Sequence, residues 1–275
     1  MLSVNTNGGA MIALQYLNQT QAQIQTTQNA ISTGLKVASA KDDGATYAIA
    51  QNMRSSVSGY QAVSDSLNRA MSAVDVGVSA AQSISDLLIQ MKTKALSASD
   101  TSLDTASRTA LNNDFTALRD QIDTIAKNAS FNGFNLLDGG TPQIKALVTT
   151  DGASTISVNS QTMALGKGSL TGVTTTSAID TRTNASAMVG KLQAALVNVN
   201  GALAKLSAGS KQYSIQLSFT NKLSDTLNTG IGHLVDADLA VESAKLTSLQ
   251  TKQQLGVQAL SIANSSPQSI LQLFQ

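Results

Sequence analysis

The sequence is marked first by what it lacks. Its 275 residues include no cysteine and no tryptophan, one histidine and two prolines. Without thiols there can be no disulfide, no thiolate nucleophile and no cysteine metal site. The single His233 cannot build a histidine zinc site alone. Charge is scarce too: 18 basic and 17 acidic residues leave a net charge of +1, and charged residues are 13% of the chain, about half the usual share. So balanced a chain has no field with which to hold nucleic acid or an anionic membrane. No apolar run is long enough to cross a membrane as a helix. The opening Met1-Leu2-Ser3-Val4-Asn5-Thr6-Asn7 has neither a basic nor an apolar signal region, so export, if it occurs, is expected to need no cleaved secretory signal.

The scarcity is uneven. Met1 to Leu35 and Gln253 to Gln275 carry no charge at all, whereas Lys36, Lys41, Asp42, Asp43 and Arg54 crowd into one short stretch. Both neutral ends have helical patterning. Ala10, Leu17, Ile24 and Ile31 fall seven apart, with Leu14 and Leu35 flanking the stripe. At the other end Leu239, Leu246 and Leu260 share a heptad lattice interrupted by Gln253, with Leu249 and Ala263 three residues further round. Narrow seams of this kind suit coiled-coil pairing. Ordinary surface helices carry Lys and Glu pairs on their outer faces. Here the outer faces are Gln, Thr and Asn, as suits close contact with other neutral chains, where charges would have to be desolvated. Isolated helices are marginal in water, so the ends are expected to be weakly ordered alone and to order on assembly.

The middle is more conventional. Leu67, Val74, Ala81, Leu88 and Ala95 predict a long helix over about 64–97, and Leu111, Phe115, Leu118, Ile122 and Ile125 a second over about 103–129. Ser99-Asp100-Thr101-Ser102 separates them, and Phe131-Asn132-Gly133-Phe134-Asn135 ends the second with turn chemistry. Leu192, Val199, Leu206, Tyr213 and Leu227 predict a third long helix. Between about 138 and 183 the texture turns to Gly, Thr, Ser and Val, with alternation such as Thr155-Ile156-Ser157-Val158, which reads as a small β-rich hairpin region. The expected fold is mainly α: a long-helix bundle with a terminal coiled coil and a small β-hairpin tip. Its expected parts are paired termini (1–42 with 235–275), a helical bundle (43–138 with 184–234) and a short variable tip (139–183).

Catalytic signatures are absent: there is no nucleophile elbow, dinucleotide fingerprint or EF-hand loop, and Gly166-Lys167 lacks the rest of a phosphate loop. Asp42-Asp43 could serve as a metal or acid–base pair, but a cap on the helix beginning near Gly44 is the simpler reading. No cofactor and no enzyme activity are expected. Asn128-Ala129-Ser130, Asn184-Ala185-Ser186 and Asn264-Ser265-Ser266 fit the N-glycosylation pattern, which carries little weight without a secretory signal; the Ser/Thr-rich tip is the better candidate for O-linked modification.

Several of these stretches together resemble bacterial flagellin. They are Val4-Asn5-Thr6-Asn7, Ile31-Ser32-Thr33-Gly34-Leu35-Lys36-Val37, Ser39-Ala40-Lys41-Asp42-Asp43-Gly44-Ala45, Phe131-Asn132-Gly133, and Leu260-Ser261-Ile262-Ala263-Asn264 with Pro267-Gln268-Ser269-Ile270-Leu271. The short chain and the Asp-rich 103–123 segment are most similar to alphaproteobacterial members. The resemblance implies a subunit that polymerises into the flagellar filament for swimming motility, exported unfolded by the flagellar type III apparatus. Implied partners are other copies of itself, other flagellins, an export chaperone, and junction and cap proteins, with no nucleic acid and no membrane. It implies that the termini pair as an inner coiled coil through Leu14, Leu17, Ile24, Ile31, Leu239, Leu246, Leu249 and Leu260. Lys41, Asp42 and Asp43 would form a charged connector, with Lys41 and Asp43 either locking neighbouring subunits or acting locally. Many family members carry an Arg-Glu-Leu motif read by the animal Toll-like receptor for flagellin. This chain has Lys92-Thr93-Lys94 there, which implies weak receptor activation. The alternative is a hook–filament junction protein; a surface hydrolase or adhesin on the same scaffold would need an insert larger than the tip.

Overall fold

A computed structural model describes the backbone of residues 6–271 and the side chains of residues 6–265. Val4 and Asn5 of the opening motif, and the side chains of 267–271 in the closing one, lie outside the described residues. Among the described residues five long helices run in the order α1 (Gly8–Thr33), α2 (Gly44–Ala98), α3 (Thr105–Asn128), α4 (Arg182–Val235) and α5 (Leu239–Leu271). Four short strands lie between α3 and α4: β1 (Ser130–Phe131), β2 (Phe134–Asn135), β3 (Gln143–Leu147) and β4 (Thr155–Asn159). The chain is mainly α, as the heptads predict. It divides into two compact units, one of 1–55 with 226–275 and one of 56–225.

In the larger unit the heptad rows become buried faces. On α4, Ala185, Leu192, Val199, Leu206 and Tyr213 are all inaccessible, with Met188, Ala195 and Ala202 on the adjoining row. The next position on the first row is Thr220, also buried, whose hydroxyl finds no hydrogen-bond partner among the described residues. On α2 the matching rows are Val63, Ala70, Ile84, Met91 and Ala98, and Leu67, Val74, Ala81, Leu88 and Ala95. Burying each large side chain stabilises by about 1.5–3 kcal/mol. Polar ties give the direction of packing. Ser64 hydrogen-bonds Asn221, Ser210 donates to Asp75, and Lys92 to Gln193, so α2 and α4 run antiparallel. Sequence periodicity suggests separate helices near 44 and from about 64. They are instead one helix of 55 residues, since nothing between them breaks the pattern.

Turn chemistry closes the elements. Asp104 caps α3 by accepting from Ser107 N at 2.7 Å. Arg108 caps the other side of the turn, donating to the carbonyls of Ala98 and Leu103 at the end of α2 and beyond it. Asn132 and Gly133 both have positive φ, 49° and 81°, the mirror-image turn that two-residue hairpins favour, and this closes β1 onto β2.

The stretch between β2 and α4 contributes side chains to the core of the bundle. Ile144, Ala146, Val158, Met163, Leu165, Leu170, Val173 and Ile179 belong to the same buried cluster as α2, α3 and α4. The alternation read in the sequence is real. One face of the β3–β4 hairpin is apolar and must be covered, and the helices cover it. β3 and β4 pair antiparallel from Gln143↔Asn159 to Leu147↔Thr155. Tyr213 of α4 pins them by donating its hydroxyl to the Ile144 carbonyl at 2.8 Å, with the Ile156 carbonyl at 3.4 Å.

Candidate assembly surface

In the smaller unit α1 packs along α5. Asn7 Nδ2 donates to the Ala263 carbonyl at 2.7 Å, while the other end of α1 meets the start of α5 through a bridge between Leu35 and Asp236. The two helices are therefore antiparallel. Asn7 also caps α1 by accepting from Ala10 N, and Gly34, at φ 72°, ends it in the left-handed conformation.

Among the residues expected in the seam, Ile24 and Leu249 are buried at 5% and 4% exposure. Leu17, Ile31, Leu246 and Leu260 are half-buried. Leu14 and Leu239 are exposed, at 47% and 50%. The heptad count overlooked Thr27 and Ala30, which are buried beside Ile24; the three-residue spacing from Ile24 was the signal that could have shown them. The Thr27 hydroxyl has no hydrogen-bond partner among the described residues. Gln253, the interruption in the α5 row, donates to Gln21 Oε1 at 2.6 Å, so the polar gaps of the two helices meet each other.

This pair leaves much apolar surface open. Met11, Ile12 and Tyr16 on α1, and Val241, Leu255, Val257 and Ile262 on α5, are all more than half exposed. Helices of this length with so few buried side chains among the described residues have an unfinished core. No charge on α1, and none on α5 beyond Lys252, opposes covering that surface with more protein.

The charged stretch is ordered by short-range bonds. Asp42 Oδ2 accepts from the backbone of Ala38 and Ser39 and from the Ser39 hydroxyl, closing a tight turn. Asp43 caps α2, accepting from Ala45 N, Thr46 N and the Thr46 hydroxyl. The Thr46 hydroxyl bond, then the backbone bonds from Thr46 and Ala45, hold the Asp43 carboxyl below its ordinary value. Lys41 is exposed, and its ammonium has no bond to another described residue. Lys36 reaches the His233 carbonyl at 3.1 Å, and its backbone N–H joins the Val235 carbonyl, tying the connector to the end of α4. In the larger unit, Lys94 pairs with Asp114 of α3 at 2.6 Å, Lys92 bonds Gln193 of α4, and Thr93 bonds back to the Ile89 carbonyl. Among the described residues no group of His, Asp or Glu could hold a metal ion, and no helix is long and apolar enough to cross a membrane.

Comparison with known proteins finds matches toward both ends of the chain. Residues 4–141 match the bacterial flagellin N-terminal helical region, and residues 189–274 the C-terminal helical region. The chain is 52% identical to flagellin FljK of Caulobacter vibrioides over 273 residues, covering 99% of this chain and 98% of that one. It is 36% identical to a flagellin of Brucella melitensis over the full length of both. Its fold is similar to that of a putative flagellar hook-associated protein from Vibrio parahaemolyticus, with TM-score 0.59 and 14% identity over 71% of this chain and all of that one. With both helical regions matched in order around a short middle, the chain belongs to the bacterial flagellin family.

Proposed function

We propose that this chain is a structural subunit of the bacterial flagellar filament and that its neutral terminal helices are the polymerising device. The observation that carries the proposal is the unfinished core of the α1–α5 pair, with Ile12, Tyr16, Leu255 and Ile262 open beside so few buried side chains. Each exposed Leu or Ile covered by a neighbour would contribute on the order of 1.5–3 kcal/mol. Repeated around a tube, neutral faces avoid the repulsion that like charges would add at every contact. On this reading residues 1–42 and 235–275 form the inner layer, with Leu14 and Leu239 completing their burial against neighbouring copies. The local bonds of Asp42 and Asp43 set the angle of the connector, and Lys41, whose ammonium has no bond to another described residue, is the charge available to a neighbour. The protein works outside the cell, reached by the flagellar type III apparatus with an export chaperone, and meets junction and cap proteins at the filament ends. Its role is structural rather than catalytic.

Seeded assembly tests the proposal. Monomer from heat-dissociated protein is cooled with short filament seeds and imaged in negative stain, beside a chain lacking residues 1–35. Tubular filaments from the full chain alone are expected. Equal polymerisation of the truncated chain would remove the terminal helices from the mechanism. Failure of both would favour a junction protein.

A further inference from the structure

A groove of about 430 Å³ opens on the larger unit between α2, the β1–β2 turn and β3. Ser66, Arg69, Ala73, Phe131, Phe134 and Lys145 shape it, and none of its lining residues is a carboxylate. Phe131 and Phe134 face each other across the hairpin and remain 36% and 49% exposed. Directly opposed residues of an antiparallel pair project from the same face, so the two rings form one apolar wall. Arg69 and Lys145 are exposed, and neither makes an ion pair or hydrogen bond to another described residue. Two unpaired cations beside two open rings fit an acidic helix face that also carries an aliphatic side chain.

The same chain has one. Asp86 on α2 is exposed and has no bond to another described residue, and Ile89, one turn on, is 52% exposed. At about 100° per residue, Asp86 and Ile89 project from roughly the opposite side of α2 to Ser66, Arg69 and Ala73. They lie some 18 residues further along, which is ~27 Å of helix. Patch and groove therefore cannot meet within one molecule, and they differ from each other, so their contact joins unlike surfaces of successive copies. A contact of that kind does not close on itself and propagates into an open helical array.

We propose that the Arg69–Phe131–Phe134–Lys145 groove receives the Asp86–Ile89 face of a second copy, displaced by about 27 Å along α2. This contact rests on the filament reading and adds to it a junction outside the terminal helices. Ile89 seats against the two rings, and the Asp86 carboxylate lies between Arg69 and Lys145. Withdrawn from water, that pairing is worth more than an exposed one.

The chain has no native thiol, so Gln90→Cys with Gln143→Cys places one probe beside the patch and one on the groove lining while keeping Arg69, Phe131, Phe134, Lys145, Asp86 and Ile89. Full-length filaments of this variant, treated with a short bismaleimide and then dissociated by heat in detergent, should run as a ladder of dimers, trimers and higher species. Within one chain the two thiols are too far apart to react. Charge exchange is the second arm and decides the matter if the cysteine variant does not assemble. Arg69→Asp and Asp86→Arg should each raise the critical concentration for seeded growth roughly three- to tenfold, and the double variant should return to within about twofold of wild type. Wild-type filaments with no ladder from the cysteine variant, or single effects that simply add in the double variant, would overturn the contact and leave the filament reading intact. A wild-type chain that does not polymerise would instead overturn the filament reading itself.

Discussion

Removing one oxygen atom from Tyr213 tests how the β3–β4 hairpin is held against the helices. The ring is inaccessible, and its hydroxyl reaches the Ile144 carbonyl at 2.8 Å. A neutral hydrogen bond contributes about 0.5–1.5 kcal/mol net, and a buried acceptor left without its donor costs about 1–3 kcal/mol. Tyr213→Phe keeps the packing, so we expect a loss of about 1.5 kcal/mol. For a unit of this size, residues 56–225, that corresponds to a melting temperature lower by roughly 3–6 °C. Burial also pushes the Tyr213 hydroxyl from its ordinary 10.0 up to about 12. The folded chain thus keeps its proton where the unfolded chain gives it up. The advantage of tyrosine is complete below pH 10 and declines as pH rises toward 12. Thermal melts of both proteins from pH 8 to 11.5, followed by circular dichroism, should show the gap narrowing above pH 10. A gap below about 1 °C at pH 8, or one that widens with pH, would refute the reasoning.

Other perturbations probe the remaining parts. Asp43→Ala removes the cap of α2 and should lower the melting temperature by roughly 2–4 °C at neutral pH. The Asp43 carboxyl is held below its ordinary 3.8, so its contribution is complete above that value and fades as pH falls beneath it. The difference between variant and wild type should shrink as pH falls below that value, and a difference that grows in acid would contradict the account of a charged cap. Leu in place of both Gln21 and Gln253 makes the seam continuous and should stabilise the α1–α5 pair by about 1 kcal/mol, seen as higher helicity of the monomer. A fall in helicity would mean that the amide bond between them is net stabilising. Lys94, paired with Asp114, stands where the resemblance to flagellins would place an apolar residue of the receptor motif. Weak or absent activation of the animal flagellin receptor is therefore expected in a reporter-cell assay, and robust signalling at concentrations where an enteric flagellin is active would refute it.

The long helices of the larger unit were legible because their buried faces repeat every seven residues and are filled by Leu, Val, Ile and Ala. The residue at 220 was the gap in that row, and it is buried all the same as threonine. The joining of the 44–63 stretch to the helix that follows was not legible, because periodicity shows where a face is buried rather than where a helix stops. The hairpin alternation was visible at Thr155–Val158, yet the surface that covers it was not. Pairing with α4 depends on Tyr213 and on the close approach of Gly209 to Val158, contacts far apart in sequence. On α1, and on α5 beyond Lys252, the lack of charge could be read directly, and the apolar spacing included Ile24 and Leu249, which are buried. The exposed set, Ile12, Tyr16, Val241, Leu255 and Ile262, could not, because a heptad rule assigns one buried stripe per helix. These residues lie off that stripe and would become buried only when further copies pack around the pair.

Hydrogen exchange on α1 and α5, compared between monomer and filament, bears most directly on whether these helices complete their core only in the assembly. Amides of residues 8–33 and 239–265 should exchange rapidly in the monomer and become strongly protected in the filament, while those of α2 and α4 within 56–225 stay protected in both. Equal protection of the terminal helices in free monomer and filament would contradict the account.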